Sequence, residues 1–185
     1  QASLRTHPDH PDHPQTLFAL ASCYYRQRNV SFSGQRSPSE KGSEARDIVA
    51  QKLNLDLLSD AVIYYRRAAI LQAESAEVQG ATGLACVTLQ QAIDADSNSH
   101  SIRTTKQAPG DRELAWREAS EALQVACELS PGFVKAFEGL SICKEALDEM
   151  DAARALLTHA IDLSPCGANI LERLGRLNMT TGGIA

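Results

Sequence analysis

Apolar and small residues recur along this chain at helical spacing, in clusters separated by polar stretches. Leu17, Leu20, Ala21 and Tyr24 are three or four residues apart, so they share one face of a helix. Ala61, Tyr65 and Ala68 form a second cluster. A third, near 77–90, centres on Leu84 and Ala85, with Gly83 beside them as another candidate for a small contact residue. Ala119, Leu123 and Ala126 mark a fourth cluster, over 112–129. Phe137, Leu140 and Ser141, then Ala153, Leu157 and Ala160, then Leu171, Leu174, Gly175 and Leu177 complete the series. The pattern predicts seven main helices, arranged as three antiparallel hairpins and a lone last helix.

The clusters also echo one another. Residues 126–141 read ACELSPGFVKAFEGLS, and residues 160–175, which lie 34 positions later, read AIDLSPCGANILERLG. Ala126 pairs with Ala160, Leu129 with Leu163, Ser130 with Ser164, Pro131 with Pro165, Glu138 with Glu172 and Leu140 with Leu174. Upstream, Ala119 pairs with Ala153 and Leu123 with Leu157. A fixed period of this size means stacked supersecondary units, none of which buries its apolar face alone. Small residues belong where two helices cross closely, and bulky ones fill the space between layers. Pro165 stands just past a helix, where it stops the helix without breaking it.

Phe137-x2-Leu140-Ser141-x2-Lys144, followed by Ala153-x3-Leu157-x2-Ala160-x4-Pro165, resembles the tetratricopeptide repeat. Ser141 and Ala21 replace the commoner glycine, and Lys144 replaces an aromatic. The resemblance implies an all-α fold, a right-handed α-α superhelix of helical hairpins, or solenoid, with two long insertions inside repeats. Residues 1–14 then form a linker or the end of a preceding repeat, and 15–185 the array. The chain begins at Gln1 rather than Met and is expected to be a piece of a longer one.

The insertions are expected at about 30–53 and 91–111, both rich in polar residues and falling between the two helices of one hairpin. The first carries Ser37-Pro38, a candidate phosphorylation dipeptide, and a short helix at 47–53. His7, His10 and His13, interleaved with Asp9 and Asp12, have ligand-type side chains. Pro8, Pro11 and Pro14 keep them off one helical face, so this stretch reads as an extended linker.

Composition narrows the function. Eighteen basic against 23 acidic residues leave a net charge of −5, which argues against a basic nucleic-acid footprint. No apolar run is long enough for a membrane span. Cys23, Cys86, Cys127, Cys143 and Cys166 are far apart, odd in number and without a CxxC. They read as small buried hydrophobes in a reducing intracellular compartment, cytoplasmic or nuclear. There is no Gly-rich phosphate loop, nucleophile elbow or HExxH, so no catalytic residue, metal or cofactor is expected.

The resemblance further implies a concave groove lined by first helices. In this sequence it is lined by Phe18, Ser22, Tyr25 and Arg26; by Thr82, Cys86 and Leu89; by Lys135, Glu138, Ile142 and Glu145; and by Glu172, Arg176 and Met179. Such a mixed groove suits an amphipathic helix or an extended peptide. The chaperone-binding members hold a C-terminal carboxylate with Lys and Asn in the first helix; Phe18 and Ser22 stand there instead, and Glu138 would repel a carboxylate. Leu171, Leu174 and Leu177 form a candidate contact face at the end of the array. The function implied is a non-catalytic protein–protein scaffold in a large multi-subunit assembly, with other proteins as partners. Two alternatives remain: a peptide-receptor or adaptor module, and the non-catalytic repeat region of a larger enzyme.

Overall fold

The computed structural model describes residues 13–32, 43–98 and 109–181. Among them are seven helices and no strand: α1 (Pro14–Phe32), α2 (Ser43–Leu71), α3 (Ala76–Asn98), α4 (Pro109–Leu129), α5 (Val134–Ala146), α6 (Met150–Leu163) and α7 (Ala168–Thr181). Pro14 and Pro109 open their helices, where a missing N–H costs nothing and the fixed φ is already helical.

The insertions differ from expectation. Residues 43–53 belong to α2 and 91–98 to α3, while α4 starts at Pro109, inside the second insertion. The expected short helix at 47–53 is thus part of a 29-residue helix. The stretch SEARDIVAQKL is polar but holds good helix formers and neither Gly nor Pro, so its composition disguises a helical propensity. Ser37, Pro38 and the histidines and aspartates of 7–12 lie outside the described residues.

The chain divides into two compact units. The first holds α1, α2 and the end of α3; the second holds α3 up to Gln90 and α4 to α7. In the first unit α1 and α2 pack side by side. Leu17 and Ala21 are buried on α1, and Leu58, Ala61, Val62, Tyr65 and Ala68 on α2. Phe18 meets Tyr65 edge-on with ring centroids 5.5 Å apart, and Tyr24 stacks on Tyr64 at 5.6 Å.

In the second unit α5 packs on α4 and on α6, and α6 on α7. Its inner side chains include Ala85, Trp116, Ala119, Leu123, Ala126, Phe137, Leu140, Cys143, Ala153, Leu157 and Ala160. Leu123 is the wedge between three helices. A Cβ added to Gly83 of α3 would stand 2.4 Å from the Leu123 Cγ, and one added to Gly139 of α5 would stand 3.2 Å from its Cδ1. Burial of such a leucine stabilises the fold by about 1.5–3 kcal/mol. Ala85, like Ala21 and Ser141, has no exposed surface. Gly83 is small for its own crossing with α4.

The echoed Ser-Pro segments form the same turn twice. The Phe133 N–H donates to the Ser130 carbonyl at 3.0 Å, and the Gly167 N–H to the Ser164 carbonyl at 3.2 Å. Proline at the second position of each presets φ for the turn. The α5–α6 connection is different. The Glu149 N–H donates to the Lys144 carbonyl at 2.8 Å and the Asp148 N–H to the Glu145 carbonyl at 3.1 Å, which is a Schellman motif. It places Asp148 at φ 64°, in the left-handed region that glycine usually takes.

Candidate functional site

On α1, Phe18, Ser22, Tyr25 and Arg26 follow helical spacing and so form one stripe. Phe18, Ser22 and Tyr25 are half-buried and Arg26 is exposed. Behind the stripe, Tyr65 is buried, and its hydroxyl is 3.1 Å from the Ser22 hydroxyl. Burial pushes the Tyr65 hydroxyl's pKa up, and the Ser22 contact opposes part of that shift. The stripe thus offers two partly open aromatic rings on a hydrogen-bonded floor.

In the second unit, Lys135 on α5 is exposed, and Glu138, Ile142 and Glu145 are half-buried on the same helix. On α7, Glu172 and Arg176 are exposed. Glu145 is engaged by Arg173 of α7 in a close ion pair that ties the two helices together. Arg173 is 16% exposed on its side chain, and its Nε has no hydrogen-bond partner. Arg173 lies between Glu172 and Arg176, the two expected groove positions of its helix, so the groove pattern does not include it. An arginine at the place where α5 has Gly139 was the available signal.

Three expectations are corrected. Thr82 and Cys86 are only 5% and 8% exposed and line no open groove. The Thr82 hydroxyl donates instead to the Val78 carbonyl at 2.7 Å. Leu177 is 4% exposed and is no end-face residue. It shares an inner stripe with Ile170, seven residues earlier and equally buried, which leaves Leu171 exposed and Leu174 half-buried. Cys23 and Cys166 are exposed rather than buried. The face of α1 carrying Leu20 and Cys23 has no earlier described helix beside it, whereas the matching residues of α5, Leu140 and Cys143, are enclosed.

The other three thiols are buried. Burial pushes the pKa of Cys143 up to about 12 and that of Cys127 to about 11. Among the described residues no group of three or more His, Cys, Asp or Glu could hold a metal ion, and no helix is long and apolar enough to cross a membrane.

No family model matches the chain, and no curated protein matches it in sequence. Solved structures do match it in fold. The Arabidopsis OM64 TPR domain is 15% identical and has a TM-score of 0.53, covering 88% of this chain and 98% of its own. The first TPR of Spaghetti (RPAP3), bound to the HSP90 peptide SRMEEVD, is 11% identical with a TM-score of 0.55, covering 89% of this chain and 94% of its own. MamA is 16% identical with a TM-score of 0.51, covering 94% of this chain and 84% of its own. Together with the 34-residue echo, the paired helices and the small residues at their crossings, these likenesses establish that the chain has the tetratricopeptide-repeat fold.

Proposed function

We propose that this chain is a non-catalytic protein–protein interaction module, acting as a scaffold within a large multi-subunit assembly inside the cell. The observation that carries the reading is a fold whose first helices present a mixed apolar and charged stripe in each unit. Five cysteines without a disulfide support a reducing compartment, cytoplasmic or nuclear. The acidic net charge supports protein partners over nucleic acid.

A peptide-receptor role is the second reading. It is favoured by the half-open Phe18 and Tyr25 beside the Ser22–Tyr65 hydrogen bond. The ligand differs from the acidic peptide held by the Spaghetti domain, since Glu138 and Glu172 would repel its carboxylates.

Size fractionation of the full-length protein from its native cells, with mass spectrometry of the fractions, tests the proposal. Co-elution with a defined set of proteins, part of it lost on Glu138→Lys with Ile142→Asp at unchanged melting temperature, is the expected result. Migration at the protein's own mass, with nothing co-eluting, would overturn both readings.

A further inference from the structure

Phe18 and Tyr25 are both half-buried and stand seven residues apart on one face of α1, the side opposite Leu20. Seven residues of helix rise about 10 Å. Ser22 lies between the two rings, and its hydroxyl is 3.1 Å from that of the buried Tyr65. With Tyr65 as the donor of that pair, the Ser22 proton is left for a ligand. Tyr65 also braces Phe18 edge-on. Arg26 is exposed one turn beyond Ser22, and α1 has no Asp or Glu of its own. Two ring surfaces, a hydroxyl between them and a cation at one end thus make up the stripe.

We propose that this stripe binds a proline-rich segment of a partner protein, lying along α1 in the polyproline II conformation with an acidic residue at its Arg26 end. The inference rests on the peptide-receptor reading and names the ligand class of that site. Three features select the class. Polyproline II repeats every three residues and rises about 9 Å in doing so, so prolines three apart come level with Phe18 and Tyr25. Proline rings dock on aromatic side chains in grooves of this kind. The second feature is hydrogen bonding. A polyproline II segment makes no internal hydrogen bonds, and proline has no N–H, so the ligand brings carbonyl acceptors in need of donors. The Ser22 hydroxyl supplies one between the rings. An amphipathic helix satisfies its own backbone and would bury that hydroxyl against apolar side chains, which is costly. The third feature is charge. Arg26, on a helix without a carboxylate, is complemented by an acidic residue just past the proline on Tyr25.

Fluorescence anisotropy of the labelled peptide APPAPPADD, titrated with the 185-residue chain, tests the proposal. Saturable binding with a Kd on the order of 10–100 µM is expected. The glycine peptide AGGAGGADD should bind about tenfold more weakly or worse, since it lacks both the ring contacts and the preorganisation. Tyr25→Ala should weaken binding of the proline peptide about tenfold. Arg26→Glu, at an exposed position, serves should that variant fold poorly. It should weaken binding roughly twofold to fivefold and make APPAPPAKK the better ligand. Equal binding of the glycine peptide would overturn the proposal, as would a proline peptide indifferent to both Tyr25→Ala and Arg26→Glu. An array of random peptides separates this inference from the reading beneath it. If only proline-free peptides bind, and Tyr25→Ala abolishes that binding, the proline-rich ligand is wrong while the peptide receptor stands. If no peptide binds in either assay, both fall.

Discussion

Asp148 occupies a backbone conformation that costs an L-residue about 1–2 kcal/mol, and only its short polar side chain softens this. Asp148→Gly should raise stability by about 0.5–1 kcal/mol, after subtracting glycine's larger entropy loss on folding. Asp148→Val should lower it. Urea titrations of the three proteins measure both changes. The cysteines give a second prediction at this scale. At pH 8, burial keeps Cys127 and Cys143 neutral, because their pKa values are raised to about 11 and about 12. Only a thiolate attacks an alkylating reagent quickly. Brief treatment of the folded protein with iodoacetamide should therefore label the exposed Cys23 and Cys166. Peptide mapping should find the buried Cys86, Cys127 and Cys143 labelled only after denaturation.

Between elements, stability rests on close crossings. Ala153 and Ala160 have no exposed surface, whereas Leu147 at the end of α5 is half-buried. Ala153→Leu or Ala160→Leu should cost about 1–3 kcal/mol through overpacking between layers. Leu147→Ala should cost less, and thermal melts of the three variants check the order. Gly83 supplies a test on α3. Glycine to alanine in an exposed helix normally gains about 1 kcal/mol of propensity. At Gly83 the added carbon would stand 2.4 Å from the Leu123 Cγ and 3.2 Å from the Ala119 carbonyl oxygen, which is backbone and does not yield. Gly83→Ala should therefore destabilise by about 1 kcal/mol or more, read as a lowered melting temperature.

At the scale of the whole molecule, the buried thiols set an alkaline limit. Their folded pKa values are raised above the ordinary 9.0, so the unfolded chain releases its protons first. The contribution to stability is complete below pH 9 and is lost as the pH rises through about 11 and about 12. Denaturation midpoints measured from pH 8 to pH 11 should fall progressively above pH 9. Cys143→Ala should flatten that decline, and a decline of unchanged slope would assign it to other groups.

Much of this was legible in the residues themselves. The 34-residue echo, the small residues and the paired Ser-Pro turns depend on local spacing, and local spacing survives in a linear string. So did the seven helices and the buried Ala153, Leu157 and Ala160. Helix ends inside polar segments were not legible, since SEARDIVAQKL has the composition of a loop and the propensity of a helix. Nor was the fate of chemically similar residues at matching positions. Cys23 and Cys143 share a register, as do Gly175 and Ser141, but one member of each pair is open and the other enclosed. The same limit applies to the Glu145–Arg173 pair, formed by residues 28 positions apart. Sequence determines which face of a helix is able to be buried. Whether a neighbour arrives to bury it depends on long-range packing, and that is decided only by the tertiary structure.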